Sequence, residues 1–186
     1  MAHATDNVLM EAPQMVEALE RLAKEVVDGI RDRRRLALVG IHTGGVHLAR
    51  RIQEIIENRY NLSVPVGALD INLYRDDWTR LHTQPLVRST HLPFELEGRE
   101  IVLVDDVLYT GRTVRAALGA LADYGRPDHV QLLVLVDRGH RELPICAQFT
   151  GVEVETSAEE QVNVLLREKN GIDRIVVERP PSSEGN

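Results

Sequence analysis

A single cysteine, Cys146, stands among 186 residues. No disulfide can therefore form within the chain, and the fold must be held by its core. Aromatic residues amount to only 4%, so that core is expected to be aliphatic. No apolar run approaches the ~20 residues of a membrane-spanning helix, and Asp6 and Glu11 interrupt the N-terminal stretch where a basic-then-apolar signal segment would lie. The expectation is a cytoplasmic protein without a membrane partner. No G-x-x-x-x-G-K-[ST] string occurs, and no G-x-G-x-x-G follows a strand pattern. By motif, neither an ATP-hydrolysing loop nor a dinucleotide fold is indicated. The net charge of −7 argues against a surface that binds nucleic acid all round, while leaving room for a local basic patch.

What is present is ordinary in bulk and specific in one place. Hydrophobic residues make 43% and charged residues 27%, which suits a single soluble domain over residues 1–186. The specific place is Ile101-Val-Leu-Val-Asp-Asp-Val-Leu-Tyr-Thr-Gly-Arg-Thr113. Four aliphatic residues read as a short strand buried on both faces, and Asp105 and Asp106 are expected to end it. A loop at Thr110-Gly111-Arg112-Thr113 then runs into a helical pattern, with Val114, Ala117, Leu118 and Leu121 on one apolar face. Unpaired amides and the positive end of a helix dipole would point at whatever that loop encloses. Thr110 and Thr113 can donate hydroxyls, and Gly111 lets backbone approach closely. This is a phosphate cradle. Asp105 and Asp106, as acceptors, suit sugar hydroxyls, or a cation that itself holds phosphate oxygens.

The rest of the chain alternates strand and helix patterns. Val16, Leu19, Leu22, Ala23, Val26, Val27 and Ile30 make a helical stripe over residues 14–30 behind Pro13. Arg31-Asp-Arg-Arg-Arg35 follows, readable as a basic rim or as a solvated turn. Leu36–Ile41 is a buried strand; Thr43-Gly44-Gly45 leads from it into a helix with Leu48, Ala49, Ile52, Ile55 and Ile56 inward. A Gly-Gly turn there can lay amides against pyrophosphate, although such turns are often only tight connections. Val64–Tyr74 is a second strand region, and residues 75–93 show little periodicity, as a lid would. His129–Val136 is a third buried strand, delivering Asp137-Arg138-Gly139-His140-Arg141. Alternation of this kind predicts an α/β fold with a mainly parallel sheet. Ligands of such sheets sit at the carboxyl ends of the strands, where Thr43, Asp105 and Arg138 all fall. Short strands are also expected within 148–157, 163–166 and 172–177.

The run Val104–Thr113 resembles the ribose-phosphate loop of type I phosphoribosyltransferases. Together with Tyr74-Arg-Asp-Asp77 and Val136-Asp-Arg-Gly-His-Arg-Glu-Leu-Pro144, it resembles specifically the PyrR family, over roughly residues 14–174. The resemblance implies the type I phosphoribosyltransferase fold, with a small hood from the N-terminal region and about 140–178, and a flexible loop at about 75–93. It implies two activities. One is transfer from phosphoribosyl pyrophosphate (PRPP), as its Mg2+ complex, to uracil, giving UMP and pyrophosphate. The other is UMP- or UTP-responsive attenuation by binding the leader mRNA of the pyrimidine operon.

The same resemblance assigns residues. Asp105 and Asp106 would hold the ribose hydroxyls and, through substrate oxygens, the metal, with Arg138 completing a catalytic trio. Val107, Leu108 and Tyr109 would contact the substrate, and Thr110, Gly111, Arg112 and Thr113 would bind the 5-phosphate. Thr43, Gly44 and Gly45 would face pyrophosphate, with Arg75 and Arg88 reaching it from the lid; His140 would lie near the base. Arg21, Lys24, Arg138 and Arg141 are the candidate RNA contacts, and a homo-oligomer is expected. The sequence departs from the family in four places. The family frequently carries Thr-Arg-Gly where this chain has Thr43-Gly44-Gly45, and Val-Pro-Thr-Ser where Val154-Glu-Thr-Ser157 stands. Glu20 replaces a neutral residue and Cys146 an arginine on the presumed RNA face. A uracil transferase without attenuation, or a purine phosphoribosyltransferase, would share the central loop.

Overall fold

The computed structural model describes residues 7–75 and 89–179; Arg88, and residues 76–88 of the expected lid, lie outside the described residues. The chain opens with β1 (Asn7–Glu11) and α1 (Ala12–Gly29). Pro13 lies in the first turn of α1, where its missing N–H costs nothing, and Glu11 and Gln14 form a reciprocal capping box. Met15, Leu19, Leu22, Ala23 and Val26 make the buried stripe; Val16, expected in that stripe, is 49% exposed. The phase of the helix puts Met15 inside instead.

A 3-10 turn at Arg33–Arg35 leads into β2 (Leu36–Ile41), and α2 (Gly44–Tyr60) ends on Asn61 in the left-handed conformation. The arginine run is tied down locally: Arg34 pairs with Asp32, Arg35 with Asp128, and Arg33 donates to the Val27 carbonyl. It lies at the amino end of β2, away from the strand ends that carry the candidate site. Buried Glu100 accepts the Arg31 and Asp32 amides at 3.2 and 3.1 Å, which fixes the turn.

The next elements are β3 (Val66–Leu69), a 3-10 turn at Asn72–Tyr74, β4 (Glu100–Leu108), α3 (Arg112–Ala122), β5 (His129–Asp137) and β6 (Phe149–Glu153). Then come β7 (Gln161–Leu165), the one-turn α4 (Arg167–Asn170) and β8 (Arg174–Glu178). Five strands form a sheet in the order β3-β2-β4-β5-β6, every pairing parallel. Alternation along the strands divides the core in two. Leu36, Leu38, Val102 and Val104 face α1 and α2, while Ala37, Val39, Ile101 and Leu103 face α3. Both faces are covered, as an all-parallel sheet requires. In α3, Ala116 and Ala120 are buried and Leu118 is 42% exposed, so the inner face is turned away from Leu118 and lined by smaller residues than the sequence pattern suggested.

The C-terminal strands separate. β6 extends the main sheet, whereas β7 and β8 join β1 in a second, antiparallel sheet of order β1-β8-β7. Arg51 of α2 fastens that sheet down. Its side chain is 10% exposed and binds Glu168 of α4 at 2.5 Å and Asp173, just before β8, at 2.6 Å. No helix among the described residues is long and apolar enough to cross a membrane.

Candidate active site

β4 is longer than its apolar run. It continues to Leu108, held by pairing of Val107 and Leu108 with Val136 and Asp137 of β5. Asp105 and Asp106 therefore lie inside the strand rather than at its end. The connecting loop shrinks to Tyr109–Gly111, and Arg112 and Thr113 belong to the first turn of α3. The reason is that ladder partners on β5 extend as far as Asp137, so the polar pair is carried within a hydrogen-bonded strand.

The two acids sit in different surroundings. Asp105 is 6% exposed, and its Oδ1 accepts the Asp106 amide at 3.0 Å. Burial, then the neighbouring Asp106 charge, pushes its carboxyl well above the usual carboxylate range. Burial also raises Asp106, opposed by the hydrogen bond from the Val107 amide at 2.9 Å. This buried pair resists carrying two full charges. A ligand that brings hydroxyls or cationic charge relieves that resistance.

The cradle beyond them is built by backbone. Gly111 has φ of +91°, a conformation that glycine adopts freely, and it turns the chain into α3. The Thr110 carbonyl accepts the Glu142 and Leu143 amides at 3.0 and 3.2 Å, and the Thr110 hydroxyl oxygen accepts the Arg112 amide at 3.3 Å. The first i to i−4 bond of α3 runs from the Arg115 amide to Gly111, so the amides of Thr113 and Val114 precede the helical ladder. These are the donors an anion would take. The Arg112 side chain turns outward to Glu142 at 2.7 Å.

Across from β4, Thr43 precedes α2 and Gly44 and Gly45 are its first residues; the His42–Thr43 peptide is cis. Both glycines are required by close approach. A Cβ on Gly44 would lie 2.1 Å from Asp106 Oδ2, and one on Gly45 would lie 2.0 Å from the Val104 carbonyl oxygen. Gly40, which the sequence did not single out, is equally tight: its Cβ would meet Val46 Cα at 2.4 Å. The loop thus lies directly against the acidic pair.

At the end of β5, Arg138 is 6% exposed. It donates to Thr156 Oγ1 at 3.2 Å and the Ser157 carbonyl at 3.0 Å, and its guanidinium stacks on the Tyr109 ring at 4.0 Å. His140, at φ of +58°, places Nε2 2.5 Å from the Thr156 carbonyl and meets Tyr109 edge-on. The retained Thr156 and Ser157 are what orient these two side chains, while Glu155 lines a neighbouring cleft of about 540 Å3 with Asp137, Arg141 and Glu153. Arg141 is an internal brace: it binds the Tyr109 carbonyl at 2.8 Å, the Ile145 carbonyl at 3.0 Å and the Asp137 carboxylate. Burial pushes the Asp137 carboxyl up, but the bonds from Arg141 and the Gly139 amide outweigh it and hold it low.

The other candidates scatter. Arg75 lies at the edge of the described residues, exposed beyond the 3-10 turn. Arg21 pairs with Glu25 and reaches the Thr150 and Gly151 carbonyls, and Lys24 pairs with Asp28 at 2.6 Å. Glu20 is engaged with Arg59 across the two helices, and Cys146 is exposed. A cleft of about 400 Å3 has Asp106 and Val107 on one wall and Asn163, Leu165, Lys169 and Asn170 on the other. Sequence reading missed Lys169 because its partner across the cleft is 63 positions away in number (169 less 106).

The central strand of this all-parallel sheet carries an acidic pair and ends in a glycine turn into a helix, and the phosphoribosyl transferase domain family matches residues 7–166, which makes the chain a phosphoribosyl transferase domain. The Bifunctional protein PyrR of Syntrophobacter fumaroxidans is 63% identical over 179 residues, covering 96% of each chain. That of Thermus thermophilus is 57% identical over 167 residues, 90% of this chain and 92% of the relative. The chain belongs to the PyrR family of phosphoribosyltransferases. Its fold is shared with the hypoxanthine phosphoribosyltransferase of Trypanosoma cruzi in complex with IMP, at a TM-score of 0.71 and 16% identity, over 97% of each chain.

Proposed function

We propose that this chain transfers a phosphoribosyl group from PRPP to uracil, and that the same nucleotide pocket, filled by UMP or UTP, governs binding to pyrimidine-operon leader mRNA. The observation that carries the first half is the continuity of Asp105 and Asp106 with the Tyr109–Thr113 cradle. One ribose 5-phosphate presents hydroxyls to the first and phosphate oxygens to the second. The kinship with PyrR proteins supports the pairing of transfer with regulation and favours uracil over a purine.

In this reading Asp105 and Asp106 hold the ribose hydroxyls and stabilise positive charge developing on the sugar as the C1–pyrophosphate bond breaks and the C1–uracil nitrogen bond forms. The amides of Thr113 and Val114, with the Thr110 and Thr113 hydroxyls, hold the 5-phosphate. Thr43, Gly44 and Gly45 present backbone to pyrophosphate. Arg138 and His140 border the base, and Arg75 and Arg88 approach from the lid. Among the described residues no group of three or more His, Cys, Asp or Glu is placed to hold a metal. Two adjacent carboxylates do fit Mg2+ that arrives on the substrate, since magnesium takes one or two carboxylates alongside substrate phosphates. Its chemistry there is to neutralise the departing pyrophosphate. The protein acts in the cytoplasm as a homo-oligomer.

The test is a steady-state assay of uracil, hypoxanthine and guanine with Mg-PRPP. Uracil should be the preferred acceptor; equal or better turnover of a purine base refutes the assignment. For the regulatory half, a gel shift with pyrimidine leader RNA, with and without UMP at fixed salt, should show tighter binding with UMP. Binding no tighter than to scrambled RNA removes that half.

A further inference from the structure

Lys169 is an exposed residue of α4 and lines the 400 Å3 cleft across from Asp106. Its ammonium makes no hydrogen bond or ion pair with the described residues, and its charge is one of the influences that favour ionised Asp106. The acids nearest it in sequence are otherwise engaged. Glu168 takes two bonds from Arg51, at 2.8 and 2.5 Å, and Asp173 takes a third at 2.6 Å. Arg51 thereby engages both acids near Lys169 and fastens α4 to α2.

The turn packed against Asp106 lacks such a charge. Thr43, Gly44 and Gly45 offer amides but no cationic side chain, and the space at Gly44 is filled by the Asp106 carboxylate. A pyrophosphate group laid against that turn would bring several negative charges beside a carboxylate. The 400 Å3 cleft also has room for a group of that size, and Asn163 and Asn170 add polar lining.

We propose that Lys169 binds the pyrophosphate end of PRPP, supplying from α4 the cation that the Thr43–Gly45 turn does not provide, and that Arg51 positions it through Glu168. This rests on the phosphoribosyl-transfer reading above. Lys169 is a substrate-binding residue, and Arg51 a positioning one.

The experiment compares wild type with Lys169→Ala, Lys169→Gln and Lys169→Arg. KM for PRPP and for uracil are measured, and magnesium pyrophosphate alone is titrated by calorimetry. Losing one charge-assisted contact should raise the PRPP KM and the pyrophosphate Kd about 10-fold or more in the Ala and Gln variants. The uracil KM should stay within about 2-fold, and Arg should restore PRPP binding to within about 3-fold, because the charge is what matters. An unchanged PRPP KM and pyrophosphate Kd in both neutral variants overturns the proposal. If wild type transfers nothing to uracil, the transferase reading fails, and the pyrophosphate titration still decides the role of Lys169.

Discussion

Replacing Arg51 with methionine removes the guanidinium and keeps most of the length of the side chain. The wild-type side chain is 10% exposed and that of Asp173 11%, whereas that of Glu168 is 31% exposed. Breaking a buried ion pair by removing one partner costs roughly 3–5 kcal/mol, because a carboxylate is left without compensation. Here Glu168 can hydrate, and Asp173 keeps the Arg167 amide at 2.9 Å. The lower end, about 3 kcal/mol, is therefore expected. For a chain of this size each kcal/mol moves Tm by ~2–4 °C, so Arg51→Met should melt about 6–12 °C lower at pH 7.

Acid sharpens the test. The hydrogen bond from Arg51 lowers the Glu168 carboxyl from 4.5 to about 2. A depressed carboxylate contributes stability above its unfolded pKa and loses it as pH falls through the folded one. The window is thus pH 4.5 down to about 2, and the variant should show a shallower loss across it. Adding Asp173→Asn to Arg51→Met should recover part of the deficit by removing the stranded charge. Calorimetric melts read all three. An Arg51→Met protein melting within about 2 °C of wild type, under one kcal/mol by the same conversion, refutes the clamp.

Asp105→Asn should reduce uracil transfer by at least about 100-fold, the scale of losing one preorganised electrostatic contact, while raising Tm. The sign follows from a folded pKa above the unfolded one: wild type loses stability as pH rises above about 4, so the variant's advantage should appear there and grow toward neutrality. Thermal melts at pH 4 and 7 check this, and a variant less stable at pH 7 contradicts it. Gly45→Ala should cost stability on the order of 1–3 kcal/mol, since its Cβ meets backbone. Gly44→Ala meets only the Asp106 side chain, so its melt should change less and its PRPP kinetics more. Arg138→Lys cannot keep both Thr156 and Ser157 while stacking on Tyr109; the uracil KM should rise by about 10-fold, and an unchanged KM removes Arg138 from the base side.

Much of this architecture was legible because buried parallel strands announce themselves. Leu36–Ile41 and His129–Val136 are nearly unbroken apolar runs, and the structure bounds them at Leu36–Ile41 and His129–Asp137. The end of β4 was not legible, because two aspartates look like a stop until their ladder partners on β5 are known. Helix phase failed at Val16 and Leu118, where small residues or methionine lie inside. The Arg51–Glu168–Asp173 cluster was invisible: Arg51 lies more than a hundred positions from both acids and no local pattern announces the contact. The turn into α3 was legible locally, since glycine and threonine at a strand-to-helix junction constrain it. The inward turn of Arg141 was not, because an arginine placed among candidate RNA contacts reads as surface until its carbonyl acceptors are seen.

β8 is the middle strand of its sheet and the last strand among the described residues. A ribosome therefore delivers β1 first and β7 much later, yet neither has a neighbour to bond until residues 174–178 emerge. The five-stranded layer, complete by Glu153, can assemble while translation continues. The smaller layer, and with it the anchoring of α4 by Asp173, closes only once residues 174–178 have emerged. A nascent chain stalled before that point holds the acid pair and the Gly111 turn but lacks the strand that knits residues 7–11 to residues 161–165.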